Sequence, residues 1–245
     1  MKEGLTLAVI TILAASFPPV SVAAGPDLSD DPSSDAPVAL SIAADVTLAS
    51  KYLWHGIDYS DGHPVIQPEM AVGYDSFSAT VWLNGDLQDG HVTEADLYLT
   101  YTRQVRPLSL TLGYGYFNYP HREGWNPSQE VFITAGLATP FHPSLSLHHD
   151  YQSGKGMYAE LEGKEEIEHF LGSLAVGASL YYHRSYYQLT GFPAIEIQGG
   201  NSFGVGPATL ALSVSYFLTW DNGDFTGGNA VGDAWVYSLN IAGNF

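Results

Sequence analysis

The chain has 245 residues with 26 acidic and 8 basic side chains, a formal net charge of −18 and no cysteine. The acidic balance argues against binding of nucleic acid or of an anionic surface through a basic patch. The lack of cysteine excludes a disulfide framework and thiol chemistry. Only 14% of the residues are charged and 13% are aromatic, although the mean hydropathy is close to zero. This composition is typical of a membrane β-protein, whose apolar residues occupy alternate positions.

The first 24 residues have the pattern of a secretory signal peptide. Lys2 supplies the positive start, an apolar run extends over residues 5–17, and small residues at 21–24 provide a cleavage site. The apolar run is too short to be a membrane helix and is followed by two prolines. Residues 25–37 are rich in Pro, Ser and Asp, which predicts a disordered periplasmic lead-in. The folded domain is expected to span residues 38–245.

From residue 40 onward, apolar residues alternate with small or polar ones, a pattern that predicts extended strands with one apolar face. About twelve such segments are visible, many of them close to the 9–11 residues with which a tilted strand crosses a bilayer. The alternation is weakest around residues 157–161 and 195–205. In chain order the predicted strands cover residues 40–54, 65–75, 77–83, 94–103, 108–116, 131–137, 145–151, 157–161, 174–182, 195–205, 210–216 and 234–245.

The connections between the predicted strands alternate in length. Tight turns are expected at 75–76, 106–107 and 206–207. Longer polar links are expected at residues 55–64, 85–93, 118–129, 183–193 and 221–233. Short periplasmic turns that alternate with longer external loops are typical of an up-and-down antiparallel barrel in an outer membrane. Two connections depart from this rule, because the link at 153–156 is short and the link at 163–169 is long for a turn.

The two faces of the predicted strands differ in a way that separates a membrane barrel from a soluble one. The polar face carries mostly Gly, Ser, Thr, Ala and Tyr, and the whole chain has only four lysines. A soluble sandwich or lipocalin-like barrel would carry many charged residues on its solvent face. The apolar rows are therefore expected to face lipid and the polar rows to enclose water. Tyrosine and tryptophan near strand ends predict aromatic girdles, among them Tyr52, Trp54, Tyr74, Phe77, Tyr114, Tyr116, Tyr119, Tyr181, Tyr182, Tyr186 and Tyr187.

Two stretches resemble known outer-membrane proteins. The last strand ends on Phe245 and resembles the closing strand of bacterial outer-membrane barrels, which implies recognition by the barrel-assembly machinery. Residues 48–70 resemble the opening hairpin of the TorF-like outer-membrane porins, the Gcw_chp family. The matching residues are Ser50, Tyr52, Trp54-His55-Gly56, Asp61-Gly62-His63-Pro64 and Gln67, with His55 where the family pattern usually has Arg. The resemblance implies an outer-membrane porin and says little about its substrate.

Carboxylates on the polar parity are the candidate functional residues. The pore-lining residues are predicted to be Asp45, Lys51, Glu69, Asp75, Asp96, Glu130, Asp150, Glu160 and Glu196. Confined carboxylates focus a negative potential, so the pore is expected to favour cations. If the first two strands face each other with residue numbers that sum to about 120, Lys51 lies near Glu69 as an ion pair. The same register places Asp45 near Asp75, where like charges would bind a cation or raise a pKa, or where both simply meet periplasmic water.

No metal, cofactor or catalytic residue is predicted. His148 and His149 are adjacent on a strand and point to opposite faces, so they cannot chelate one ion. The sequence Asp221-Asn222-Gly223-Asp224 lacks the spacing of a calcium loop, although a loosely held ion that bridges to lipopolysaccharide stays possible. The prediction is a bacterial outer-membrane channel for passive diffusion of small solutes or ions, in contact with membrane lipid and lipopolysaccharide. The alternatives are an outer-membrane barrel hydrolase, which lacks a recognisable nucleophile motif here, and an adhesin or structural barrel.

Overall fold

The computed structural model describes residues 40–219 and 233–245, which form twelve long strands and three short ones. Within these ranges there is no helix long and apolar enough to cross a membrane. The predicted signal peptide, the lead-in at 25–37 and loop residues 221–232 lie outside the described residues. The long strands are β1 (Leu40–Ala49), β4 (Val65–Tyr74), β5 (Phe77–Asp86), β6 (His91–Val105), β7 (Leu108–Asn118), β8 (Ser128–Leu137), β9 (Ser144–Asp150), β10 (Gly156–His169), β11 (Gly172–Tyr186), β13 (Ala194–Val205), β14 (Ala208–Thr219) and β15 (Ala234–Asn244). The short ones are β2 (Leu53–Trp54), β3 (Ile57–Asp58) and β12 (Leu189–Gly191).

The twelve long strands form one closed antiparallel barrel. Each pairs with its neighbours in sequence order, and β1 closes the ring by pairing with both β4 and β15. At the seam, the backbone N–H of Phe245 donates to the carbonyl of Ile42 at 2.9 Å. Closure leaves no unpaired edge among these strands, which a barrel in a bilayer requires. The predicted fold class, an up-and-down barrel of about twelve strands, is confirmed.

The connections differ between the two ends of the barrel. The end that contains Leu40 and Phe245 also has tight turns at 75–76, 106–107, 170–171 and 206–207 and a six-residue link at 138–143. The other end has the loops 50–64, 87–90, 119–127, 151–155 and 187–193. The prediction of a long turn at 163–169 is wrong, because β10 continues to His169 and pairs with β11 over its full length. We refer to the turn end as the periplasmic end and to the loop end as the external end.

The apolar rows lie on the outer surface, as predicted. Val46, Leu48, Leu97 and Leu99 are exposed, whereas Asp45, Thr47, Asp96 and Thr100 beside them are buried in the interior. The prediction of aromatic girdles is only partly right. Tyr74, Phe77 and Tyr182 are exposed on the outside, but other rings assigned to the girdles are buried inside the barrel: Tyr52, Trp54, Tyr119, Tyr181 and Tyr186. Tyr52 and Trp54 were assigned to the first strand, which instead ends at Ala49.

Candidate functional site

The first external loop, residues 50–64, folds into the barrel and is called the plug hairpin below. Its strands β2 and β3 pair through Leu53 with Asp58 and Trp54 with Ile57. The two residues between them, His55 and Gly56, both have positive φ, of 50° and 80°. Positive φ at both central positions is the geometry of a type I′ turn, whose twist matches a two-stranded ribbon. The Trp54-His55-Gly56 motif thus forms the tip of the plug hairpin.

The base of the plug hairpin is fixed to both neighbouring parts of the barrel wall. On one side the Ser50 N–H donates to the Tyr237 carbonyl at 2.9 Å, and the Tyr237 N–H donates to Ser50 Oγ at 3.0 Å. On the other side the Leu87 N–H donates to the Pro64 carbonyl at 2.9 Å, and His63 Nδ1 lies 2.8 Å from Asp86 Oδ2. These contacts hold both ends of the hairpin at the external rim.

A second turn closes the upper part of the plug hairpin. Asp61 and Gly62 have φ of 53° and 78°, and the His63 N–H donates to the Ser60 carbonyl at 2.9 Å. Ser60 Oγ accepts from the Tyr52 N–H at 2.8 Å and donates to Asp58 Oδ1 at 2.8 Å. Asp61-Gly62 and Tyr52 therefore stabilise contacts within the plug hairpin, and Ser50 attaches the hairpin to the barrel wall.

The plug hairpin crosses the interior and packs on aromatic side chains of distant strands. The Trp54 ring lies 5.5 Å from Tyr158 on β10 and 5.7 Å from Tyr186 on β11, centroid to centroid. Tyr52 lies 5.4 Å from Trp82 on β5. Leu53, His55, Ile57 and Tyr59 are also buried. Aromatic pairs at these separations add to the burial of apolar area, so the hairpin is held in the interior by packed rings.

The tip of the hairpin fits the opposite wall closely. A Cβ atom added to Gly56 would lie 2.8 Å from the Cβ of Ala194 and 3.5 Å from that of Pro193. The ring of His55 beside it lies 4.2 Å from the Tyr158 ring and 5.0 Å from the Tyr181 ring, centroid to centroid. Only a residue without a side chain fits between the hairpin and β13 with this backbone conformation.

Most of the predicted pore-lining carboxylates are buried on the inner face of the wall. These are Asp45, Glu69, Asp96, Glu130, Asp150, Glu160 and Glu196. Lys51 is half-buried in the segment after β1, and Asp75 is exposed in the turn between β4 and β5, with φ of 54°. The expected pairs are wrong, because the register of β1 with β4 places Asp45 opposite Glu69 and not opposite Asp75. Lys51 lies beyond the last residue of this pairing.

Several of these carboxylates are held by neighbouring polar side chains. Glu130 Oε1 lies 2.8 Å from His148 Nδ1, which also lies 2.8 Å from the Tyr158 hydroxyl. His148 is stacked between Phe132 and Tyr158, at 4.7 and 4.1 Å. The Tyr181 hydroxyl donates to Glu196 Oε2 at 2.7 Å. These hydrogen bonds fix the orientation of the carboxylates inside the barrel. The alternation in the sequence predicted only the face of the strand on which each carboxylate lies.

The histidine pair His148-His149 behaves as the strand geometry predicts. His148 points inward to Glu130, whereas Nδ1 of His149 lies 3.2 Å from the Gly156 carbonyl and belongs to the other face. A different group, His63, Asp86 and Asp89 at the external rim, has ligand atoms within 4.8 Å of one another. The His63–Asp86 hydrogen bond accounts for its arrangement. The Asp221-Asn222-Gly223-Asp224 motif lies outside the described residues.

An outer cavity of about 1040 Å³ lies at the external end, above the plug hairpin. Its walls come from the plug hairpin, from loop 119–127, from residues 153–155 and from the segment 185–189. Aromatic rings and charged groups of both signs line it: Asp58, Tyr59, Asp61, Tyr119, Arg122, Trp125, Lys155 and Tyr187. We use the name outer cavity for this space below.

The alternation of apolar and polar residues did not predict the plug hairpin or the outer cavity. A signal for the plug hairpin was present, since Tyr52-Leu53-Trp54 is an apolar run that breaks the alternation just before a loop. Glu94, which is buried on the inner face of β6, was also missed, although it begins the predicted strand 94–103 and shares the parity of Asp96. The outer cavity has no sequence signal of its own, because its residues come from four separate segments of the chain.

Comparisons with known proteins place the barrel among porins in fold. Residues 32–153 match the profile of Gcw_chp, described as a bacterial protein family of unknown function. A search of curated proteins gave no match. Among solved structures, the NanC porin is similar with a TM-score of 0.52 and 9% identity over 83% of this chain and 98% of that one. The COG4313 outer membrane channel from Pseudomonas putida F1 has a TM-score of 0.46 and 13% identity, over 85% and 96%. The chain thus has the barrel fold of an outer-membrane porin, and its residues 32–153 match the Gcw_chp family.

Proposed function

We propose that the chain is a bacterial outer-membrane channel for passive diffusion of small solutes, with a preference for cations, and that its resting state is closed by the plug hairpin. The observation that carries this proposal is a closed barrel with an apolar outer surface and an inner face rich in carboxylates. The resemblance of residues 48–70 to the TorF-like porins supports the same assignment.

The cation preference follows from the inner face. Asp45, Glu69, Asp96, Glu160 and Glu196 are among its buried acidic residues, and the chain has few basic residues to oppose them. A confined pore with carboxylates on its wall attracts cations and repels anions, because the low dielectric of the surroundings focuses the field. We propose that these carboxylates, together with Glu130 and Asp150, line the conducting path once the plug hairpin moves.

The surroundings of the barrel are part of the proposal. The exposed leucine and valine rows contact membrane lipid, and the loop end faces lipopolysaccharide. Phe245 is 84% exposed at the periplasmic end, which suits recognition of the last strand by the barrel-assembly machinery.

Planar-bilayer recording tests the function. Purified mature protein is inserted into a lipid bilayer, and current is recorded in symmetric salt and in a salt gradient. We expect brief, rare openings with a reversal potential on the cation-selective side, and frequent openings when Trp54 is replaced by Ala. The Trp54→Ala variant removes the ring that packs on Tyr158 and Tyr186. Silent membranes with both correctly folded proteins would rule out a channel.

A further inference from the structure

The outer cavity is built from side chains that the channel proposal does not use. Its floor is the plug hairpin, through Ile57, Asp58 and Tyr59, and its walls are three other external segments. The volume of about 1040 Å³ lies at the upper end of the range of roughly 300–1,000 Å³ that is usual for small-molecule sites. A site of this size admits a solute larger than a single amino acid or monosaccharide.

The cavity concentrates basic residues in a chain that has few of them. Arg122 and Lys155 are two of only eight basic residues, and both line it. Neither forms an ion pair within 4 Å inside the ranges 40–219 and 233–245. The guanidinium of Arg122 lies 4.7 Å from the centroid of the Trp125 ring. A stacked guanidinium keeps its N–H groups at the edge of the plane, where they can hold a carboxylate in a bidentate manner.

Carboxylates line the same cavity from the side of the plug hairpin. Asp58 and Asp61 both contribute to the lining. Asp58 Oδ1 accepts hydrogen bonds from the N–H and the hydroxyl of Ser60, both at 2.8 Å, which fix the direction of this carboxylate. The cavity therefore presents two basic and two acidic groups, so its net formal charge is zero while both signs of charge are available.

Aromatic rings line the same cavity. Trp125 packs against Tyr59 at 5.2 Å and against Tyr119 at 5.1 Å, both close to perpendicular. The Tyr187 ring packs on Tyr186 at 4.8 Å and also lines the cavity. Rings locked by mutual contact form a rigid apolar surface that costs little conformational entropy to bind against.

We propose that the outer cavity is a binding site for a short zwitterionic peptide, whose carboxylate meets Arg122 and Lys155, whose ammonium group meets Asp58 and Asp61, and whose side chains lie on Trp125 and Tyr59. A simple anion would not use the acidic side of the cavity, and a simple cation would not use Arg122 and Lys155. A neutral sugar would desolvate the charged groups of the lining without bringing them a counter-charge. The site is the external mouth of the proposed channel, and only its access to the outside rests on that proposal.

Calorimetric titration of the full mature protein in detergent tests the site without any measurement of current. The probe is the dipeptide alanyl-phenylalanine, compared with its N-acetylated form, its C-terminal amide, sodium acetate and glucose. We expect the unmodified dipeptide to bind, and each capped form to bind at least about tenfold more weakly, because each loses one set of charge-assisted hydrogen bonds. Equal binding of capped and uncapped forms, or no binding of the dipeptide, would overturn the proposal. Equal binding of acetate would indicate a simple anion site, and equal binding of glucose a saccharide site.

Matched variants assign the contacts. The double substitution Arg122→Gln with Lys155→Gln should abolish the difference between the dipeptide and its C-terminal amide, whereas Asp61→Asn should reduce the difference from the N-acetylated form. Arg103→Gln removes the same charge from the exposed periplasmic end of β6 and should leave binding unchanged. Heat-modified gel migration establishes that each variant is a folded barrel. A channel that fails to conduct but binds the dipeptide would contradict the proposed function and leave this site intact.

Discussion

Asp45 and Glu69 face each other across β1 and β4 on the inner wall of the barrel. Both carboxylates are buried, and neither forms an ion pair with a Lys or Arg of the described residues. Asp45 accepts a hydrogen bond from the Asn240 side-chain amide at 2.9 Å, which also donates to Thr47 at 2.8 Å. Two neighbouring carboxylates without a fixed cation beside them attract mobile cations, because their negative fields add in a confined space. In the proposed channel, this pair contributes to the preference for cations.

The double substitution Asp45→Asn with Glu69→Gln should lower the ratio of cation to anion permeability. The variants keep the shape of the side chains and remove the negative field at the wall. Reversal potentials in a tenfold salt gradient measure the ratio. Asp75→Asn is the matched control, because this carboxylate is exposed in the periplasmic turn. A shift of equal size for the control would show that surface charge, and not the lumen pair, sets the selectivity.

Replacement of Gly56 by Ala should open the channel. The added Cβ meets Ala194 at 2.8 Å, and the φ of 80° is unfavourable for any residue with a side chain. We expect the docked hairpin to lose about 1–3 kcal/mol, which corresponds to an increase in undocked population of roughly fivefold or more. Single-channel recording measures the open probability.

Gly62→Ala distinguishes the effect of backbone strain at a positive φ from the effect of a steric contact between the plug hairpin and the wall. Gly62 has a φ of 78°, but no atom lies within 4 Å of the position of its added Cβ. We expect Gly62→Ala to raise the open probability less than Gly56→Ala does. If the two variants behaved alike, contact of the tip with Ala194 would contribute nothing to closure.

The alternation of apolar and polar residues predicted the barrel because lipid enforces it on every strand. In β7 the outward Leu108, Leu110 and Leu112 alternate with the inward Ser109 and Thr111, as the bilayer requires of a strand that contacts lipid on one face. The inward and outward faces of each strand can therefore be predicted from the sequence of that strand alone. The plug hairpin has no such constraint, since neither face of β2 or β3 contacts lipid and the path of a loop depends on the shape of the lumen.

The pairing of Asp45 with Glu69 could not be predicted for a related reason. Register in a hairpin is fixed by its turn, but β1 and β4 are joined by the plug hairpin of residues 50–64. The tight turn at 75–76 was recognised, and it fixes the register of β4 with β5 only. Aromatic residues gave a second ambiguity, because a ring such as Trp54 suits the membrane interface and a packed interior equally well.

The anchor between His63 and Asp86 predicts a pH dependence of the plug hairpin. The hydrogen bond to the Asp86 carboxylate, with smaller contributions from Asp89 and Asp61, raises the pKa of His63 above its ordinary value of 6.5. Since the pKa is higher in the docked state, the protonated form stabilises docking fully below pH 6.5. This contribution is lost as the pH rises through the raised pKa, so the open probability should increase on the alkaline side.

NMR titration of the His63 ring measures this shift directly. Asp86→Asn should return the pKa of His63 towards its ordinary value and remove the alkaline rise in open probability. Asp61→Asn serves as the control and should change the pKa of His63 much less, because Asp61 makes the smallest of the contributions. An unchanged titration curve in Asp86→Asn would refute the anchor.

The buried contact between Glu130 and His148 should stabilise the barrel. Both side chains are almost completely buried, and Glu130→Ala removes the carboxylate from His148 Nδ1, which keeps its contact with the Tyr158 hydroxyl. We expect a loss of about 1.5–3 kcal/mol in the free energy of unfolding, measured by urea titration in lipid vesicles. Glu162→Ala is the comparison, since its contact with Lys164 is 3.7 Å long and partly exposed and should contribute at most about 1 kcal/mol. Equal losses would show that burial of the Glu130 contact has no energetic effect.

The assignment of faces predicts opposite responses at two adjacent positions of β7. Leu112 is exposed on the outer surface near the middle of the strand, and Thr111 points inward, where its hydroxyl lies 2.9 Å from that of Thr102. Leu112→Lys places a charge in lipid and should cost about 2–4 kcal/mol of folding free energy in vesicles. Thr111→Lys places the same charge in the lumen near half-buried polar residues and should cost much less. A larger loss for Thr111→Lys in urea titrations would place Leu112 in water and remove the barrel from the membrane.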